Sequence, residues 1–538
     1  MNSTNTVGFE SDFPQRPWDV KRQTGRFVGG RPVLFLEDSC ILAMEKVERT
    51  LHPLSKDPEP MRISLPIEGM TNPVVRSLVP APGGRKFYAY VSGTYRGKTL
   101  FMVYGTADGR ELEPLHLDQI TPDEMCSILE NPGEPDFNNI LVFDSENGRS
   151  FPPYYCTFFR VYSGDQYPYG GIAINKSPQP RRAKILRSED GLSWEKTKNS
   201  IREVTFESNM PSYDPFGDRY LLYLRLWDPP KKPVSGWRKV LFSELLKDQN
   251  GGKWTEDELV LEADQDDGPA ADIYFMQVSG YAGYYIGLPA VYHRAACHDL
   301  SMQGTIHGQL AASLDGRNWE RVSQGQQFLP LGEPGAWDSG MVCPICGPFM
   351  IGDKLLYYYS GQVNRHDEPL PKNYHRDCGI ARLRLDGFVS LDAVGEGGTV
   401  LTTPLWPRGK YLFVNADARG GEIRVEVLQD YTYIELKEFE AGKKGRGLFR
   451  VENCIPFTGN STCHRVEWKS GENFFDSFPK GWNSPEAHAE TKGRHHFTER
   501  AISLKFYLRN AKLYSHWFAD EEGSPDEGRL LPVGKNKG

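Results

Sequence analysis

Four acidic residues in this chain stand at similar distances before a long apolar run. They are Asp144, Glu207, Asp272 and Asp338, which precede runs starting at Tyr154, Tyr220, Tyr284 and Leu355 by 10, 13, 12 and 17 residues. A fifth, Asp38, closes the segment Leu34-Phe-Leu-Glu-Asp38. Carboxyl groups gathered at one point push their pKa values apart, so that one stays protonated while another stays ionised. That pairing is what acid–base or nucleophilic cleavage of a glycosidic bond requires. The plainer alternative is that such acids cap turns or pair with nearby arginines.

The elements that would carry these acids come from a repeat. Ser188-Glu-Asp190-Gly191-Leu-Ser-Trp194 and Ser313-Leu-Asp315-Gly316-Arg-Asn-Trp319 both read Ser-x-Asp-Gly-x-x-Trp, each after a short apolar run. Asp-Gly between two strand-like runs marks a hairpin, because glycine accepts positive φ. A degenerate third copy has Val240 to Phe242 as its strand, Gly251-Gly252 as its turn and Trp254 after it. Five apolar runs start 68, 66, 64 and 71 residues apart: Lys86 to Val91, Tyr154 to Val161, Tyr220 to Leu226, Tyr284 to Val291 and Leu355 to Tyr359. The turns keep step at Asp108, Asp190, Gly251, Asp315 and Asp386. A period of this size filled with short strands predicts an all-β chain with a five-bladed β-propeller over residues 31–392. The runs are then the middle strands, the acids sit on the innermost strands around the axial pocket, and Val33 to Leu36 helps close the ring.

Beyond Phe388 the rhythm changes. Gly395 to Gly398 is turn-rich, and the strands Tyr411 to Asn415, Glu422 to Leu428, His464 to Trp468, Ala501 to Leu508 and Lys512 to Phe518 predict a β-sandwich, jelly-roll-like, over 393–520. Residues 1–30 read as an N-terminal extension, Ser470 to Thr498 as a polar insertion and 521–538 as a disordered tail. Pro122 to Leu129 and Ser243 to Lys247 read as short helices.

Composition narrows the partners. With 54 glycines, 39 prolines and a net charge of −8 over 538 residues, the chain is turn-dense and acidic, which speaks against nucleic acid or an anionic membrane surface. No apolar stretch has transmembrane length, and Met1 to Gln15 is too polar for a signal peptide. Nine scattered cysteines argue against a disulfide framework. The expectation is a cytoplasmic protein. Cys343-Pro-Ile-Cys346 lacks a second pair, no phosphate loop or dinucleotide fingerprint occurs, and neither metal nor cofactor is expected.

A propeller followed by a sandwich resembles the invertase, levansucrase and arabinanase superfamily of glycoside hydrolases. Segments such as Leu34-Phe-Leu-Glu-Asp-Ser39, Arg49-Thr-Leu-His-Pro53, Gly335-Ala-Trp-Asp-Ser-Gly-Met341 and Arg384-Leu-Asp-Gly-Phe-Val-Ser390 are similar to those of a poorly characterised hydrolase-like group within it. The resemblance implies three working carboxylates. By blade position Asp38 takes the nucleophile or base role, Asp272 or Asp338 stabilises the transition state, and Glu207 is the acid. The chain has no Asn-Asp-Pro-Asn-Gly, Arg-Asp-Pro or Glu-Cys motif, so these roles rest on position alone. The Asp-Gly hairpins are similar to the Asp boxes of sialidases, which implies that Asp190, Trp194, Asp315 and Trp319 brace turns on the outer rim.

Around the acids, Asp144, Arg225, Tyr274, His293, Trp337, Arg365 and His366 are the candidate substrate-binding residues, as donors and aromatic platforms for a small-molecule or oligosaccharide substrate. The alternatives are a non-catalytic propeller that binds a glycan or protein, or a lyase or cyclase acting on a non-sugar substrate.

Overall fold

The computed structural model describes residues 31–65, 69–81, 87–95, 98–115, 140–141, 156–163, 169–175, 181–191, 195–196, 202–204, 209–214, 219–227, 237–246, 252–295, 303–368, 376–405, 409–429, 449–469, 471, 502–519 and 529. Among them the structure is all-β, with short 3-10 turns such as Asp38–Cys40 and Gln265–Asp267. No helix among the described residues is long and apolar enough to cross a membrane. Asp144, Glu207, Trp194 and the expected helix at Pro122 to Leu129 lie outside the described residues. Ser243 to Lys247 is not helical where described, because Arg238–Leu246 is one strand hydrogen-bonded along Arg219–Trp227.

Five antiparallel units follow one another. The first strands of the units are Thr71–Pro80, Cys156–Ser163, Asn209–Asp214, Ala271–Tyr281 and Met341–Ile351. Each packs on the next in chain order, and Met341–Ile351 packs back on Thr71–Pro80. Four of the expected middle runs are second strands of their units: Phe87–Tyr95, Arg219–Trp227, Tyr284–Arg294 and Lys354–Gln362. The run at Tyr154 to Val161 instead belongs to a first strand, Cys156–Ser163, whose partner is Tyr169–Asn175. Strand alternation explains why these runs read as unbroken apolar sequence. In Lys354–Gln362, Leu355, Tyr357 and Tyr359 enter the core shared with the C-terminal strands, while Leu356 and Tyr358 enter the core shared with the first unit. Both faces are covered, so both registers are apolar.

The Asp-Gly turns join the third strand of a unit to its fourth. At Ser313–Trp319 the Ser313 hydroxyl accepts the Gly316 N–H at 2.9 Å, and Asp315 Oδ1 accepts the Arg317 and Asn318 N–H groups at 2.8 Å each. Trp319 donates its indole N–H to the Gly316 carbonyl. Thr106, Asp108 and Gly109 repeat the arrangement in the first unit, with threonine in place of serine. Gly109, Gly191 and Gly316 have φ of 74°, 75° and 77°, the region open to glycine.

The ring-closing segment differs from expectation. Val33–Leu34 pairs with Ala511–Ala519, Ile41–Glu45 with Gly398–Thr402, and Glu48–Leu51 with Val389–Ala393. Residues 33–51 therefore belong with the C-terminal strands, not with the ring. Closure falls to Ser55–Lys56, which supplies the fourth strand of the fifth unit by pairing with Asp377–Arg384. The chain leaves the fifth unit at Asp386 and enters the C-terminal region through Val389–Ala393. That region is built as two antiparallel sheets, one centred on Ala511–Ala519 and the other on Ile502–Arg509. Leu412, Val414, Phe506 and Leu513 share one core with Tyr284, Tyr357 and Phe388 of the ring units. The tail expected to be disordered carries a well-placed residue: Arg529 is buried, 1 % exposed.

Candidate functional site

The site grows from Asp272, the second residue of the first strand of the fourth unit. Its carboxylate is fully buried. Oδ1 accepts the Trp237 backbone N–H at 2.7 Å, Oδ2 accepts the Arg238 guanidinium at 3.1 Å, and Arg294 Nε lies 3.8 Å from Oδ2. A buried carboxylate is tolerable only with such compensation. Trp237 and Arg238 open the third strand of the preceding unit, so Asp272 joins two neighbouring units.

Aromatic rings surround these cations. The Arg238 guanidinium carbon lies 5.1 Å from the ring centres of both Tyr274 and Tyr292 and 6.0 Å from that of Trp227. Arg225 covers Tyr274 at 4.7 Å, and Arg294 covers Trp237 at 4.2 Å. Guanidinium groups over aromatic faces are attracted by the ring quadrupole, more strongly where water is excluded. Tyr274 shares a 3.1 Å hydrogen bond with His366 Nε2, and the His366 ring stands 5.0 Å from that of Tyr292. His366 arrives on the loop after the second strand of the fifth unit, pinned by its N–H to the Gly304 carbonyl at 2.8 Å. Burial pushes the Tyr292 phenol up, so it stays a neutral donor. Three units thus meet at one cluster whose outer members are the exposed Trp227 and the partly exposed His366.

Four sequence candidates come together here: Asp272, Arg225, Tyr274 and His366. Trp237, Arg238 and Tyr292 were missed. The first strand carries an extra residue between Ile273 and Phe275, which changes what stands opposite Asp272. The register Tyr281 to Tyr284 run straight would set Asp272 opposite His293; the bulge sets it opposite Tyr292. His293 consequently faces elsewhere and stacks on His307, ring centres 5.1 Å apart. Burial holds both imidazoles neutral, His307 down to about 4. His293 is not part of the cluster.

Asp338 belongs to a separate network. Its Oδ2 accepts the Lys56 ammonium at 2.6 Å and the Tyr359 hydroxyl at 2.9 Å. Lys56 lies on the closing strand, so Asp338 fastens the ring instead of facing Asp272's partners. Trp337 stacks on Tyr359 at 5.7 Å and donates its indole N–H to the Pro58 carbonyl at 3.1 Å. That ring packs over the closing segment. Asp38 is exposed and ion-paired to Arg49 at 2.6 Å, in a turn between strands that pair with the C-terminal sheets. It therefore stands with the C-terminal sheets and not on an innermost strand of the ring, where its position in the sequence had suggested. Arg365 is exposed on the His366 loop, its backbone N–H donating to Glu368.

Cys343 and Cys346 lie on the strand Met341–Ile351, both buried, and burial raises the Cys343 thiol. Among the described residues no group of three or more His, Cys, Asp or Glu side chains is placed to hold a metal ion.

No protein-family model matches the chain, and no curated protein matches it. Solved structures do. One is an N-acetylgalactosamine deacetylase from F. plautii in complex with blood group B trisaccharide, 13% identical, TM-score 0.40, covering 63% of this chain and 96% of that one. Another is a glycoside hydrolase of the GH130 mannoside phosphorylase family that targets β-1,2 mannosidic linkages in Candida mannan, 11% identical, TM-score 0.40, covering 62% and 94%. A third is an α-L-arabinofuranosidase from Podospora anserina in complex with cellotriose, 10% identical, TM-score 0.37, covering 62% and 97%. In each case nearly the whole of the solved chain is matched by less than two thirds of this one.

Proposed function

We propose that this chain is a glycoside hydrolase-like enzyme, built as a five-bladed propeller with a C-terminal β-sandwich, that cleaves a glycosidic bond where the third, fourth and fifth units meet. The observation that carries the reading is Asp272, held by Arg238 and a backbone N–H beneath the Tyr274–His366 pair. Asp272 is the carboxylate that stabilises the transition state. Glu207, two residues before the first strand of the third unit, is the proton donor. Tyr274, His366, Arg225 and Trp227 supply donors and an aromatic edge for sugar hydroxyls and C–H faces. A separation of the two carboxyl groups of roughly 5–5.5 Å would give retention, and one of roughly 6.5–9.5 Å inversion.

The test is turnover of a panel of aryl glycosides and short oligosaccharides by the purified protein, beside Glu207→Gln and Tyr274→Phe. Turnover lost in Glu207→Gln at unchanged melting temperature supports the reading. Full activity in that variant removes Glu207 from its role. One observation favours a second reading: the Asp272 carboxylate is enclosed, with both oxygens engaged. A glycan-binding ring without chemistry fits that enclosure, and it predicts saturable binding of a panel member with no turnover by the unmodified protein.

A further inference from the structure

The buried carboxylate of Asp386 is built as a receptor for a guanidinium group. Arg529 fills it with a two-pronged contact, Nε to Oδ1 at 2.8 Å and NH2 to Oδ2 at 2.6 Å. Tyr281 donates its hydroxyl to Oδ1 at 2.6 Å, and Ser515 donates to Oδ2 at 2.7 Å. The Arg529 guanidinium carbon also lies 4.8 Å from the Trp517 ring centre, and its carbonyl accepts the Ala282 N–H at 2.8 Å. Both charged residues are 1 % exposed. The partners come from three parts of the fold. Tyr281 ends the first strand of the fourth unit and Ala282 opens the turn after it, Asp386 stands where the chain leaves the fifth, and Ser515 and Trp517 lie on the central strand of a C-terminal sheet. Arg529 comes from the far end of the chain.

We propose that Arg529 is a latch that locks the ring units to the C-terminal sheets, so that removing it opens this seam. Parallel hydrogen bonds from a planar guanidinium to a carboxylate are specific to arginine, which sets the chemistry of the pocket. An emptied pocket leaves a buried carboxylate without its cation, a state far costlier than the surface loss of one residue. The strand Ala271–Tyr281 carries Asp272 and Tyr274 near one end and Tyr281 at the other. The latch therefore anchors the strand on which the candidate site is built, and shortening the chain loosens that strand from its distal end.

The experiment compares the full chain with a chain ending at Gly528, with Arg529→Ala, with Arg529→Lys and with Asp386→Asn, by thermal melting and by hydrogen exchange of peptides containing Ala282 and Ser515. Truncation and Arg529→Ala are expected to lower Tm alike, by roughly 5–15 °C, and to raise exchange at both peptides. Arg529→Lys, which keeps charge but loses the fork, falls between and remains measurable if the shortened chain does not fold. Guanidinium chloride well below denaturing concentrations should raise the Tm of Arg529→Ala relative to sodium chloride of equal ionic strength, and should do nothing for Asp386→Asn. Unchanged Tm and exchange after truncation, or a guanidinium response identical in the Asp386→Asn chain, would overturn the proposal. None of these readouts requires the catalytic reading to hold.

Discussion

The Tyr358 hydroxyl donates to the Gly109 carbonyl at 2.5 Å, tying the second strand of the fifth unit to the Asp-Gly turn of the first. The same bond recurs between other neighbours, from Tyr90 to Gly191 and from Tyr223 to Gly316. A tyrosine on the second strand of one unit thus reaches the glycine carbonyl of the next unit's turn, and in the Tyr358 case the next unit is the first. Glycine is required at these positions twice over. Its φ is positive, and a Cβ on Gly109 would stand 2.7 Å from the Tyr358 hydroxyl. Tyr358→Phe leaves a buried carbonyl without its donor, at a cost of about 1–3 kcal/mol. Gly109→Ala should cost at least as much, through strain and overlap together. Urea unfolding of each variant checks both values. A midpoint unchanged in Tyr358→Phe would mean that the contact contributes nothing to closure.

Asp272 makes a prediction that separates stability from function. Asp272→Asn removes the charge facing Arg238 and Arg294 while keeping the shape, and breaking a buried ion pair of this kind costs about 3–5 kcal/mol. Tyr274→Phe removes only the hydrogen bond to His366, about 1 kcal/mol. Trp227→Ala, at an exposed position, should scarcely move the melting temperature. Ligand affinity or turnover should nevertheless fall in both Tyr274→Phe and Trp227→Ala. A panel in which neither variant changes binding or rate would show that the cluster is a packing device between units.

What could be read from the sequence follows from local chemistry. The turns at Asp108, Asp190 and Asp315 were legible because Asp-Gly needs nothing beyond its neighbours to specify a turn. The apolar second strands were legible because both faces are buried, so no register error can hide them. Long-range pairing was not legible. Ser55–Lys56 spans two residues and carries no strand signal, yet it closes the fifth unit. Val33 to Leu36 looks like a ring strand but finds its partner more than 470 residues later. One inserted residue after Ile273 exchanged His293 for Tyr292 at the candidate site, and a bulge inside an apolar strand leaves no mark in composition.

His516 sets a pH limit. Its imidazole is fully buried between Phe35 and Phe506, ring centres 5.9 and 5.4 Å away, and neither nitrogen has a hydrogen-bond partner among the described residues. Burial lowers its pKa from 6.5 to about 3. The unfolded chain therefore takes up a proton that the folded chain refuses. Stability from this group is complete above pH 6.5 and is lost as pH falls towards 3, by up to about 1.4 kcal/mol per pH unit in that window. Replacing His516 with leucine should flatten the acid limb of the urea midpoint between those values, leaving the contributions of His307, His293, His52 and His464, whose pKa values burial shifts in the same direction. An acid limb of unchanged slope in His516→Leu would place the acid sensitivity elsewhere.

The closing strand is too short to hold by its ladder alone, and its charges must compensate. Lys56 meets Asp338, and Asp57 is ion-paired to Arg382 of the fifth unit and, at 3.3 Å, to Arg110 of the first. The Lys56–Asp338 pair is the more buried of these contacts and shares its carboxylate with Tyr359, so it should behave as one coupled unit. Lys56→Met alone leaves an anion against a phenol, and Asp338→Asn alone leaves a buried ammonium. Each single change should therefore cost more than its share of the double change. A double-mutant cycle read by urea unfolding should return a coupling of about 1–3 kcal/mol, the range for residues in direct contact within one network. Additive losses would mean that the two groups act independently, and closure would then rest on Asp57 and on the backbone bonds from Leu54 to Phe328 and from Met61 to Cys378.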